Sequence, residues 1–182
     1  RDTDRSRGLG DVYKRQLLRH ADRVKIACLA QLVNVISPIM TSDTGAWRQT
    51  IFYPFFYTSR YGRGTVMNTI VEAPVYESRT YGDASYLDSV LIWNQENDEL
   101  TLFAVNKSLE EDLEISCDLR QFTEYRIVDH KILTHENLKA VNTEDHPLEV
   151  TPVSGQNAAL DSGKLTALFP KHSWQMIRMC KK

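Results

Sequence analysis

Leu113, Ile115, Cys117 and Leu119 alternate with Glu114, Ser116 and Asp118, and this period of two constrains the fold more than any other feature of the chain. Successive side chains of an extended strand point to opposite faces, so the alternation requires a sheet with one wet and one dry side. The surrounding sequence follows the same pattern. Residues 90–93 and 100–105 are apolar runs flanking a polar turn at Asn97-Asp98, which predicts a hairpin. Further strands are predicted over 125–133, 148–153, 165–169 and 173–179, separated by polar or Gly-containing loops. Many short antiparallel strands with no helix between them make residues 65–182 an antiparallel β-sandwich, jelly-roll-like in kind.

Residues 17–64 read differently. Leu17, Ala21, Val24, Cys28, Leu32 and Val35 recur at steps of three and four, while Arg19, Asp22, Arg23 and Lys25 lie largely elsewhere, which predicts an amphipathic helix. Pro38 ends it, and Ile39-Met40 suits a short buried strand. Residues 41–45 are loop, and a second helix is expected from about Thr50 to before Gly62, with Pro54 tolerated only near its first turn. Helix, short strand, loop and helix in this order fit the end of a (β/α)8 barrel, although the pattern alone does not separate a barrel from an open sheet.

Between the short strand and the second helix lies AWRQTIFYPF, residues 46–55. Trp47, Arg48 and Gln49 crowd against a dense aromatic run. Aromatic rings cover the flat C–H faces of a sugar, and an amide such as Gln49 both donates to and accepts from hydroxyls. The alternative is a helix start with Arg48 at the surface.

Composition removes other classes of function. A chain of 182 residues, 42% hydrophobic and 25% charged, supports one core of roughly 100 to 150 residues. Its net charge of -2 and the lack of a basic block give no reason to expect nucleic acid or an anionic membrane. Cys28, Cys117 and Cys180 lack the paired spacing of a zinc or redox motif, and are expected to be buried free thiols in a reducing compartment, hence a cytoplasmic protein. His20, His130, His135, His146 and His172 show no metal-ligand spacing, and Ser85, Ser89 and Ser173 sit in no nucleophile elbow. The carboxylates Glu110, Glu111 and Asp112, like Glu96, Asp98 and Glu99, are expected in solvated turns, and Glu72 and Glu77 flank Ala73-Pro74 with no sign of a pocket. Residues 1–16, RDTDRSRGLGDVYKRQ, are rich in Arg and Asp, lack an initiating Met and have no apolar period. They resemble a translated sequencing adapter and are set aside as non-native, the alternative being a genuine charged arm.

RHADRVKIACLAQLVNVISPIMT at residues 19–41, followed by AWRQTIFYPF, resembles glycoside hydrolase family 51, the retaining alpha-L-arabinofuranosidases. The likeness is strong over residues 19–64 and becomes one of pattern beyond them. The resemblance implies a C-terminal fragment, with residues 17–64 as the last strand and helices of a TIM barrel and residues 65–182 as the C-terminal sandwich. It implies an enzyme that hydrolyses, with retention, terminal arabinofuranosyl groups of arabinan- or arabinoxylan-type saccharides, as a homo-oligomer when full length and without a cofactor.

Retaining glycosidases work with two carboxyl groups about 5–5.5 Å apart. By the resemblance both are Glu on earlier barrel strands outside this sequence, so the chain alone is expected to be inactive, with no catalytic residue and no metal site. Gln49 is implied as a substrate-binding residue in the loop after the eighth barrel strand. Trp47 is a second substrate-binding candidate, either stacking on sugar or packing under the loop. The competing reading is a non-catalytic β-sandwich module that binds carbohydrate or protein through an exposed planar row of aromatics. Trp93, Phe103 and Trp174 alternate with polar neighbours in a way that suits a core instead.

Overall fold

The computed structural model describes residues 17–78 and 82–181, and the segment 1–16 discussed above lies outside them. In chain order the first strands are β1 (Ile39–Thr41) and β2 (Ala46–Arg48), followed by the helix α1 (Phe52–Tyr61). Then come β3 (Thr65–Val66), β4 (Val75–Ser78), β5 (Gly82–Ser85), β6 (Leu87–Asn94), β7 (Glu99–Asn106) and β8 (Leu113–Asp118). The last are β9 (Tyr125–Leu133), β10 (Val153–Ser154), β11 (Ala158–Asp161), β12 (Lys164–Phe169) and β13 (Ser173–Lys181). Six of them pair in the order β10-β9-β13-β7-β6-β3 and three more in the order β11-β12-β8, while β1–β2 and β4–β5 are separate hairpins. Each of these pairings is antiparallel.

The six-stranded sheet is covered on both faces. Leu91, Leu100, Leu102, Ala104, Ile177 and Met179 point toward the three-stranded sheet and pack on Leu165, Ala167 and Phe169. Val90, Ile92, Phe103, Trp174 and Met176 point the other way, toward Tyr53 of α1 and Val150. This is why the middles of β6, β7 and β13 are buried without alternation, whereas β8, at the edge of the smaller sheet, keeps the expected in-and-out pattern. The two sheets make the sandwich.

Turn chemistry sets the registers. The β6–β7 turn closes with Asp98 at φ 49° and with the Asn94 side-chain oxygen accepting from the Glu96 and Asn97 amides. Ser162 and Gly163 take φ of 49° and 79° between β11 and β12, as a two-residue hairpin turn needs. That Ser-Gly pair is the signal by which β11, absent from the sequence-based expectation, was recognisable. At Gly64 the backbone runs at φ +131°, and a Cβ there would lie 2.3 Å from the Trp93 carbonyl oxygen, so only glycine joins α1 to the sheet edge this way.

α1 forms where expected. Pro54 is its third residue, in the first turn, where a missing amide hydrogen costs no helical bond. Tyr53, Tyr57 and Tyr61 recur at i, i+4 and i+8, and they line the face that meets the sheet. Tyr57 stacks on Trp174 with ring centroids 5.8 Å apart, and Tyr61 lies under the Arg178 guanidinium, 3.8 Å from its ring centre.

Four expectations are corrected. The helix predicted from Leu17 to Val35 is helical only over residues 17–19, continues as turn to residue 23, and is irregular after that. Arg19 is tied to β6 by an ion pair to Asp88 at 2.8 Å, but Leu17, Cys28, Leu32 and Val35 of the predicted stripe are exposed and Ala21 and Val24 are only partly covered, so the stripe is not buried as a face. An amphipathic helix draws its stability chiefly from packing that stripe, and among the described residues most of it lies open. Of the three cysteines expected to be buried, Cys28, within the same stretch, is exposed, and Cys117 and Cys180 are half-buried. The strand predicted over 148–153 shrinks to β10, because both the amide and the carbonyl of Val150 are bonded to the Asn142 side chain instead of to a neighbouring strand. A barrel is not present in the described residues; the 39–61 stretch supplies an antiparallel hairpin and one helix.

One buried polar chain runs along β9 and β13 of the larger sheet. His130 Nε2 donates to Gln175 Oε1 at 2.7 Å, Gln175 Nε2 to Ser173 Oγ at 3.0 Å, and Ser173 Oγ to the Pro170 carbonyl at 2.6 Å. Gly155 passes over the His130 ring so closely that a Cβ would sit 2.3 Å from Nδ1, and this Nδ1 has no hydrogen-bond partner among the described residues. Burial lowers the His130 pKa from its usual value, with the Gln175 hydrogen bond opposing it in part. A histidine depressed in the folded state binds fewer protons than in the unfolded chain, so its contribution is intact above about pH 6.5 and is lost as pH falls toward the folded value. The unfolding midpoint in urea is therefore expected to drop on acidification below about pH 6.5. His130→Gln, which does not titrate, should flatten that slope, and an unchanged slope would remove His130 as its source.

Candidate functional site

The hairpin β1–β2 brings Trp47 and Gln49 to one side of a loop. Met40 pairs with Trp47 and Ile39 with Arg48, so residues 42–45 form the connecting turn, and the Gln49 amide donates to the Pro38 carbonyl at 2.8 Å. Phe52 then begins α1, with Arg48 lying 5.0 Å from its ring centre. The AWRQ stretch is thus a short strand leading into the helix that docks on the central sheet.

The segment between β9 and β10 closes over this hairpin. Trp47 Nε1 and Gln49 Nε2 donate to one acceptor, the Asn142 carbonyl oxygen, at 3.0 and 3.1 Å. Asn142 itself is buried, and its side-chain Nδ2 donates to the Arg48 carbonyl at 2.8 Å and to the Val150 carbonyl at 3.0 Å. Its Oδ1 accepts from the Val150 amide at 2.7 Å. At the turn, Ser42 Oγ donates to Glu144 at 2.6 Å and Thr44 Oγ1 donates to the same carboxylate oxygen. These hydroxyls hold the Glu144 carboxyl below the usual range, the Ser42 bond being the larger cause.

Trp47 and Gln49 are both half-buried, and each has its nitrogen committed within the chain. Gln49 Oε1 has no partner among the described residues and remains an acceptor. Asn142 and Glu144 were not legible as site residues in the sequence. They lie more than 90 residues from the hairpin in a polar loop, and no local pattern marks such a contact.

Elsewhere the chemistry is structural. Glu99, expected in a solvated turn, begins β7 and forms two hydrogen bonds of 2.8 Å with Arg178, which hold its carboxyl below the usual range. Glu72, read as lying near no pocket, lines a cleft of about 960 Å³ between residues 67–74 and β8. The cleft has an apolar floor that includes Leu91, Leu102 and Phe169, and its Asp118 is paired with Arg120 at 2.7 Å. Phe103 and Trp174 are buried and Trp93 packs edge-on against Phe122, so these rings build the core and form no exposed planar row. Among the described residues no three His, Cys, Asp or Glu side chains converge as metal ligands, and no helix is long and apolar enough to cross a membrane.

Comparison with known proteins gives a consistent picture. Residues 12–173 match the alpha-L-arabinofuranosidase C-terminal domain. An intracellular exo-alpha-(1→5)-L-arabinofuranosidase of Halalkalibacterium halodurans is 50% identical over 167 residues, which cover 91% of this chain and 33% of that protein. An enzyme of the same description from Acetivibrio thermocellus is 44% identical, again over 91% of this chain and 33% of its own length. Among solved structures, a family 51 alpha-L-arabinofuranosidase of Bifidobacterium longum superposes with a TM-score of 0.86 at 32% identity, covering 93% of this chain and 32% of that one. The chain therefore spans about a third of the length of these relatives.

The Glu144 contact has a local consequence. Ser42 Oγ, oriented by Glu144, accepts from the amides of Thr44 and Gly45 at 3.2 and 3.1 Å. Glu144→Ala should raise hydrogen–deuterium exchange at Thr44 and Gly45 while leaving that of β7 and β13 unaltered. Unchanged exchange in the turn would mean that the carboxylate does not order it.

Proposed function

This chain belongs to the alpha-L-arabinofuranosidase C-terminal domain family of glycoside hydrolase family 51, and on that premise we propose that it is the C-terminal part of a retaining exo-acting alpha-L-arabinofuranosidase. The observation that carries the reading is the 50% identity to the Halalkalibacterium halodurans enzyme over 91% of the chain. In this reading residues 65–182 are the enzyme's C-terminal sandwich, and residues 17–64 join it to the portion of the relatives that this chain does not match. The substrates are arabinan- or arabinoxylan-type saccharides with terminal arabinofuranosyl groups. The setting is cytoplasmic, in keeping with relatives named intracellular, and the assembled enzyme is a homo-oligomer.

In this reading Gln49 contributes to the subsite that holds the terminal sugar, and Trp47 forms part of its wall. The free Gln49 Oε1 supports the assignment, since an amide oxygen accepts from a sugar hydroxyl. The two carboxyl groups of the retaining mechanism come from the portion of the relatives that this chain does not match. Without them the chain binds no transition state and cleaves nothing.

The test joins this chain to the unmatched two thirds of the Halalkalibacterium halodurans enzyme. The joined enzyme should hydrolyse an aryl alpha-L-arabinofuranoside, and this chain alone should not. Gln49→Ala in the joined enzyme should lower kcat/KM about 10- to 100-fold, the effect of losing one buried hydrogen bond of about 1–3 kcal/mol. Turnover by the isolated chain, or an unaffected Gln49→Ala enzyme, would contradict the proposal.

A further inference from the structure

We propose that Asn142, in the loop between β9 and β10, is a positioning residue for sugar recognition: it determines which atom of Gln49 faces the substrate. The proposal rests on the reading of Gln49 as a sugar-binding residue. Its grounds are geometric. A single buried residue contacts Trp47, Arg48 and Gln49 at once, through its own carbonyl to the two side chains and through its Nδ2 to the Arg48 carbonyl. Its side chain, through the Arg48 carbonyl and two bonds to Val150, anchors the main-chain carbonyl that receives both nitrogens, so substituting it acts by releasing that carbonyl and not by removing it.

The carbonyl of Asn142 is an acceptor only, so the Gln49 amide must turn its NH2 toward it, and a flipped amide would set oxygen against oxygen at 3.1 Å. Oε1 is then directed away from Asn142. A terminal amide otherwise rotates between two orientations of similar energy and offers a sugar either a donor or an acceptor. Here the orientation is selected before substrate arrives, which spares the cost of ordering the side chain on binding. Trp47 is fixed by the same oxygen, so ring and amide are registered against one another. Asn142 belongs to the sandwich portion of the chain, and the sandwich thereby contributes directly to substrate recognition.

The experiment uses the joined enzyme with an aryl alpha-L-arabinofuranoside, well below each variant's unfolding temperature. Asn142→Ala, and more mildly Asn142→Ser, whose hydroxyl can still serve one of the backbone groups, should lower kcat/KM by about 10-fold or more and by a smaller factor, respectively. The decisive reading is the cycle with Gln49→Ala. If Asn142 acts through Gln49, adding either Asn142 variant to Gln49→Ala should cost little further, so the losses do not multiply. A merely destabilising change would multiply with the Gln49 loss, and that result, or a Ser variant with unaltered kcat/KM, would overturn the proposal. Should the Ala variant fail to fold, the Ser variant carries the cycle. A Gln49→Ala enzyme with full activity would instead remove the sugar-binding reading itself.

Discussion

The structure depends on a central sheet that is dry on both faces. β6, β7 and β13 carry apolar side chains outward in both directions, and each set needs its own cover. The three-stranded sheet covers one side through Leu165, Ala167 and Phe169, and α1 covers the other through its row of tyrosines. A methylene-sized change at Phe103 or Met176, both fully buried, is felt by the second of these layers because interiors are close-packed. The position of α1 on the sheet also fixes the stretch just before it, and with it Trp47 and Gln49.

A second layer of restraint refines that placement. α1 sets the approximate position of the AWRQ stretch, and the loop after β9 then fastens it through Asn142 and Glu144. The two anchors differ in kind. Asn142 is buried and bonds to backbone and side chains in a dry setting, whereas Glu144 holds the turn by hydroxyl contacts at the surface. Loops positioned by a rigid scaffold are where binding groups are usually carried, and here two loops distant in sequence combine to hold the candidate residues Trp47 and Gln49.

Much of the sandwich was legible because its signals are local. The alternation from Leu113 to Asp118, the 90–105 hairpin with its Asn97-Asp98 turn and the 125–133 strand all follow from side-chain period and turn chemistry within one window. Misreadings arose where a distant partner decides the outcome. The apolar stripe from Leu17 to Val35 has helical spacing, yet spacing does not supply a surface to pack against. Val150 reads as strand by propensity, and its backbone is taken by the Asn142 side chain. Glu99 reads as a solvated charge, and Arg178, 79 residues on, draws it into an ion pair. At the candidate site the AWRQ stretch could be singled out by its residue types, while Asn142, which accepts from the Gln49 side chain, lies 93 positions away and leaves no local signal.

If Gln49 meets the terminal sugar in the orientation set by Asn142, a crystal structure of the joined enzyme with arabinose bound will show a sugar hydroxyl within hydrogen-bonding distance of Gln49 Oε1 while Nε2 remains on the Asn142 carbonyl. A sugar bound out of reach of Gln49, or a Gln49 amide released from Asn142 to meet it, would rule this arrangement out.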